Sequence, residues 1–72
     1  MIKVTVEGWG PGEVVDVVKE LRGRGHTQGV DFDFEYHKPK YDYINGHLEY
    51  NKHAVFSFHT ESLATWFSLT YL

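Results

Sequence analysis

Residues 30–37 read VDFDFEYH, an alternation of apolar and polar side chains with almost no fault. Val30, Phe32, Phe34 and Tyr36 take one side, and Asp31, Asp33, Glu35 and His37 take the other. Side chains of an extended chain point to opposite faces in turn, so a period of two over residues 30–36 predicts a strand with one buried face. The polar side is nearly all acid. It is either the wet side of a strand or a surface that a partner exploits, and the rest of the chain has to weigh the two.

Two further segments carry the same period. Ile2, Val4 and Val6 alternate with Lys3, Thr5 and Glu7, which predicts a first strand. Residues 53–59 place Ala54, Phe56 and Phe58 on one face and His53, Val55, Ser57 and His59 on the other, which predicts a third. Between the first two strands the period changes. Val14, Val17, Val18 and Leu21 recur at helical spacing over Glu13–Arg22, with Val15 widening the stripe. Glu13 and Asp16 lie early and Lys19, Arg22 and Arg24 late, the order that the helix dipole favours. Four valines are poor helix formers, so burial has to hold this segment helical. Gly23 or Gly25 can supply a left-handed cap. After the third strand, Thr60 is placed to cap a second helix that starts at Glu61 and carries Leu63, Ala64, Phe67 and Tyr71, with Trp66 beside them. That helix is expected to run to about Leu69, while residues 68–72 either close it or form a short strand.

The link between the second and third strands, KPKYDYINGHLEYNK over 38–52, contains Asn45-Gly46, a strong hairpin signal. A two-residue turn there would pair Ile44 with His47, Tyr41 with Tyr50 and Phe34 with Ser57. That register sets a core residue opposite a solvent residue, because a slip of one moves a whole strand to the wrong face. A bulge or a loss of pairing is therefore expected at Lys38 to Lys40, where Pro39 has no N–H to give to a ladder.

The predicted architecture is α+β: one domain over residues 1–72, in the order β-α-β-β-α. Three antiparallel strands lie in the order 1-3-2, with both helices on one face. This resembles a ferredoxin-like sandwich whose final strand is missing or very short. The first strand is then an open edge, and open edges recruit other strands. A homodimer through the first-strand edge is the expectation that follows.

Composition excludes several classes. The chain has no cysteine, so disulfides and thiolate metal sites are ruled out. A domain of 72 residues buries only about 60% of its unfolded surface, so packing by its 17% aromatic residues has to carry the fold. The net charge of −3 gives no general attraction for phosphate backbones or anionic membranes. No apolar run approaches a membrane span, and MIKVTVEG alternates where a signal peptide would be continuously apolar, so a cytoplasmic location is expected.

The motifs do not point to catalysis. GWGPG, residues 8–12, sits between strand and helix where dinucleotide folds hold phosphate, but Glu13 stands where G-x-G-x-x-G needs glycine. It reads as a turn with Pro11 near the helix start. Trp9 within it either caps the core or projects as an anchor. Five histidines and the acidic row supply zinc ligand types, and His37 can neighbour His53 if the register shifts. No H-x-x-x-H or H-E-x-x-H spacing occurs, so solvated face residues are the preferred reading, with no metal and no cofactor. No serine sits in a G-x-S-x-G turn, and Asp31, Asp33 and Glu35 on a flat strand lack the cleft that raises one carboxyl's pKa. No enzyme is expected.

Nucleic acid is the alternative reading. VFSFHTESLATWF, residues 55–67, resembles the third strand and second helix of RNA-recognition domains, which stack single-stranded bases on sheet aromatics. Here Phe56 and Phe58 are needed for the core, and Asp31, Asp33 and Glu35 repel phosphate. Protein recognition fits better. Tyr41, Tyr43 and Tyr50 interleave with Lys38, Lys40 and Lys52, which is either a good recognition chemistry on an exposed hairpin or a set of which two pack back on the sheet. The candidate interaction surface is thus Trp9, Asp31, Asp33, Glu35, Tyr41, Tyr43 and Tyr50.

One resemblance extends over most of the chain. AVFSFHTESLATWFSLTY (54–71), the turn GWGPGEVV (8–15) and the strand QGVDFDFEYH (28–37) are similar to short accessory proteins of large tailed bacteriophages, including some that infect cyanobacteria. The resemblance implies no activity. It implies a setting, an infected bacterial cytoplasm, and a mode of action, contact with a host or phage protein.

Overall fold

The computed structural model describes residues 1–72. β1 spans Ile2–Glu7, α1 Pro11–Gly23, β2 Phe32–His37, β3 Lys40–Tyr41, β4 Leu48–Tyr50, β5 His53–Phe58 and α2 Glu61–Tyr71. The main sheet is antiparallel in the order β1-β5-β2, so the strand nearest the C-terminus is central and both outer strands are edges. The C-terminal segment is helical to Tyr71. The short closing strand that residues 68–72 left open does not form.

The register explains the core. Ile2, Phe58 and Phe32 lie abreast, then Val4, Phe56 and Phe34, then Val6, Ala54 and Tyr36. From this face Val6, Phe32, Ala54, Phe56 and Phe58 join Val14, Val17, Val18 and Leu21 of α1 and Ala64 and Phe67 of α2 in one buried cluster. Both helices therefore cover the same face. Phe67 is the hub: its ring lies 4.8 Å from Phe56, 4.9 Å from Phe58 and 5.0 Å from Tyr71. No buried polar side-chain atom is left unpaired.

Local chemistry sets the helix ends. α1 opens one residue before Glu13's neighbour Gly12, at Pro11, and Glu13 turns back so that its Oε2 accepts the Gly10 N–H at 3.0 Å. It closes on a Schellman pattern: the Gly25 N–H bonds the Arg22 carbonyl and the His26 N–H the Leu21 carbonyl. Gly25 takes the positive φ of +89° that this cap requires. Thr60 caps α2 by accepting the Leu63 N–H at 3.3 Å. Neither helix is long and apolar enough to cross a membrane.

The predicted second strand needs one correction. It starts at Phe32, not Val30, and Val30 is 63% exposed. The cause lies upstream. Gly29 has φ +88°, and the Val30 and Asp31 N–H groups both bond the Thr27 carbonyl, which closes a tight turn just before the strand. Alternation alone cannot reveal a turn whose residues happen to continue the pattern.

The pairing beyond β2 breaks where Pro39 stands. Lys38 and Pro39 are unpaired, β3 and β4 form a separate two-stranded ribbon, and its register shifts between Lys40 and Tyr41. The ribbon continues past the end of the main sheet and draws the molecule out to 45 × 21 × 21 Å. Its radius of gyration of 13.7 Å exceeds the roughly 11 Å of a compact domain this long.

Candidate functional site

The ribbon is an arm, and the arm has no core of its own. Tyr41, Leu48 and Tyr50 are exposed, while Tyr43 and Ile44 at the tip are 99% and 92% exposed. Tyr41 and Tyr43 therefore face solvent, and only Tyr50 leans back toward the sheet, its ring 5.3 Å from that of His53.

The tip is built without the two-residue turn that Asn45-Gly46 signals. Only Gly46 has positive φ, whereas that turn needs it at both residues. Instead Asp42 organises a longer loop. Its Oδ1 accepts the Ile44 N–H and its Oδ2 accepts the Asn45 side-chain amide, both at 2.9 Å. Its backbone N–H donates to the His47 carbonyl and its carbonyl accepts the Gly46 N–H, each at 2.7 Å. These donors hold the Asp42 carboxyl below the ordinary value of 3.8, the Ile44 N–H first and the Asn45 amide second. The result is a fixed loop that displays a tyrosine and an isoleucine side by side.

The arm's base is aromatic and basic. His37 and His53 stack across the β2–β5 ladder with centroids 4.7 Å apart, and Tyr50 meets His53 edge-on at 5.3 Å. The shift of register thus brings together the histidines that sequence spacing made conditional. No third ligand completes them, since no group of three His, Asp or Glu side chains is placed to hold a metal ion. Lys40 reaches Glu49 across the arm at 3.4 Å, while Lys38 stays exposed beside them.

The remaining sequence candidates divide. Trp9 is half-buried and packs on Phe56, Phe67 and Tyr71 with centroids 6.0, 6.1 and 5.8 Å away, so it caps the core and leaves the exposed set. Asp31 also leaves it. Its Oδ2 accepts the Thr27 N–H at 2.7 Å and fastens the turn before β2. Asp33 and Glu35 do lie on the uncovered face of the sheet, but they are not an acidic field. The rows across that face read Lys3–Ser57–Asp33, Thr5–Val55–Glu35 and Glu7–His53–His37. Asp33 also spends one oxygen on the Phe34 N–H at 2.8 Å. The face carries no Phe, Tyr or Trp, because Phe56 and Phe58 point into the core, so the stacking platform of the nucleic-acid reading is not built there.

The GWGPG turn is a poor anion cradle too, since the Glu13 carboxylate folds back onto the amide of the N-cap residue Gly10 and puts a negative charge at the start of α1. The widest hollow, about 410 Å³, opens between the ends of α1 and α2 and is lined by Arg24, His26, Thr60, Ser62, Leu63 and Trp66. Arg24 lies over the Trp66 ring at 4.7 Å and is bound to Glu20 at 2.9 Å, so its charge is already engaged.

No known protein family, no curated protein and no solved structure matches this chain.

Proposed function

We propose that this is a non-enzymatic protein-recognition domain that works by presenting the β3–β4 arm to another protein. The observation that carries the reading is the tip: Tyr43 and Ile44 stand almost fully in solvent on a loop that Asp42 holds in one shape. Large apolar side chains fixed in solvent are costly to leave uncovered, and a tyrosine with a branched aliphatic neighbour is the chemistry that anchors protein interfaces. Order matters as well as exposure, because a preformed loop loses little entropy on docking. The partner that fits has an apolar cleft for the tip and an acidic rim for Lys38, the arm's lysine without an acidic neighbour in the chain. In the setting implied by the likeness to phage accessory proteins, that partner is a host or phage protein.

The test is capture of binding proteins by the intact domain, compared with a Tyr43→Ser/Ile44→Ser variant and an Asp33→Ala/Glu35→Ala variant. The tip variant should lose the captured protein and the sheet-face variant should keep it. The converse result would move the surface to the sheet. Filter retention of single-stranded nucleic acid, abolished by moderate salt, would replace the reading with the nucleic-acid one.

A further inference from the structure

The two edges of the main sheet are treated differently, and the hydrogen-bond pattern shows how. The His59 N–H bonds the Asp31 carbonyl, so the odd-numbered residues of β5 direct their backbone groups toward β2 and the even-numbered ones toward β1. The Gly8 N–H, bonded to the Lys52 carbonyl, fits the same alternation from the other strand. Ile2, Val4 and Val6 therefore spend their backbone groups on β5. Lys3, Thr5 and Glu7 direct theirs outward.

At the opposite edge the outward groups are those of Phe32, Phe34 and Tyr36. Two of the three residues are blunted: the Phe32 carbonyl accepts the Gly29 N–H at 2.7 Å, and the Asp33 carboxylate takes the Phe34 N–H at 2.8 Å. Nothing comparable protects β1. No side chain or loop bonds the outward groups of Lys3, Thr5 or Glu7. An unblunted edge on a small domain is a pairing surface.

We propose that its occupant is a second copy of this chain, bound β1 to β1 in antiparallel fashion about a two-fold axis at Thr5. This inference is independent of the arm. Three observations favour self-pairing. The first is register. Outward groups meet only when odd residues face odd residues, and centring on Thr5 sets Lys3 opposite Glu7 of the second copy and Glu7 opposite its Lys3. Both ion pairs fall on the uncovered face. Moving the strands by two residues either way loses both.

The second is apolar continuity. On the covered face the same register brings Val4 against Val6 of the second copy, beside a groove of about 350 Å³ whose lining is Ile2, Val4, Ala64 and Leu69 together with Glu61, Thr65 and Ser68. Leu69 is 81% exposed, with no partner in the single chain.

The third is helix spacing. α2 packs over β1 and β5. With strands about 4.8 Å apart, a helix above the midline of those two strands lies about 5 Å from the axis. The two α2 helices would then be about 10 Å apart, the distance at which helices pack. Their facing residues include Thr65 and Ser68, small enough to allow it. The product is one continuous sheet with three strands from each copy and both α2 helices meeting above the seam.

Sedimentation equilibrium across the micromolar-to-millimolar range tests this, with circular dichroism to confirm folding. The wild type should pass from the mass of one chain to that of two. Thr5→Pro removes an N–H that β5 does not use, so the variant should fold and stay at one chain. Lys3→Glu and Glu7→Lys should each weaken association by roughly tenfold, since two cross-strand pairs turn repulsive. The Lys3→Glu/Glu7→Lys double variant should recover the wild-type affinity. A single-chain mass at millimolar concentration overturns the proposal. So does a dimer that Thr5→Pro leaves intact, or a double variant no tighter than the single ones.

Discussion

The imidazole rings of His37 and His53 stack 4.7 Å apart and within 13° of parallel, at the point where the main sheet ends and the arm begins. Tyr50 closes on His53 from the arm side at 5.3 Å. The ribbon's two strands, Lys40–Tyr41 and Leu48–Tyr50, are short and bury no side chain, so the aromatic contacts hold its direction. His53→Ala should therefore loosen the arm and spare the sheet, by about 0.5–1.5 kcal/mol from the lost ring contacts. Amide exchange checks this: residues 40–50 should speed up while Phe56 and Phe58 stay protected. Uniform acceleration would show that the cluster supports the whole fold.

Phe67 tests the core. It is fully buried and touches the rings of Phe56 and Phe58. Phe67→Ala should cost about 3–5 kcal/mol. A domain of this size is stable by roughly 4–11 kcal/mol in total, so thermal or urea unfolding should find this variant at the edge of folding. Tyr43→Ala, at the exposed tip, should change stability by no more than about 0.5 kcal/mol.

Asp42 makes a pH prediction for the tip alone. Its carboxyl titrates lower in the folded loop than in an unfolded chain, because the Ile44 N–H and the Asn45 amide bond its charged form. A depressed carboxyl stabilises above its unfolded value and loses that contribution as pH falls through the folded value. The Ile44 amide should hence shift and exchange faster only below pH 3.8, and Asp42→Ala should show the loose behaviour at neutral pH. An Ile44 amide indifferent to both changes would contradict the loop assignment.

Tyr71 predicts the opposite limb. Burial against Trp9, Trp66 and Phe67 raises its phenol above 10.0, and the Glu20 charge adds to the rise. A raised phenol favours the neutral form in the fold. Its contribution is whole below the unfolded value and is lost as pH climbs through the folded one. Stability should accordingly fall above pH 10, with Tyr71 giving a late component in an absorbance titration. In Tyr71→Phe that late component should vanish, and the alkaline loss of stability should be smaller.

What the sequence by itself determined is everything that depends on local periodicity. Alternation marked the three strands of the main sheet, 3.6-residue spacing marked both helices, Thr60 marked a start, and Gly23 or Gly25 marked a stop that the structure gives to Gly25. Pro39, with no N–H to give to a ladder, marked the break at Lys38 to Lys40, although the two-residue turn at Asn45-Gly46 from which the register was counted does not form. Tertiary structure decided the rest. Val30 and Asp31 continue the strand pattern yet belong to a turn, since Gly29 bends the chain before β2. Trp9 turned inward because the second helix laid Phe67 and Tyr71 beside it, neighbours 58 and 62 residues away in the chain. The acidic row became a mixed face once β1 brought Lys3 to the same row as Asp33. The arm's exposure was likewise invisible, because solvent access is fixed by which distant surfaces arrive to cover a residue, and none arrives at Tyr43.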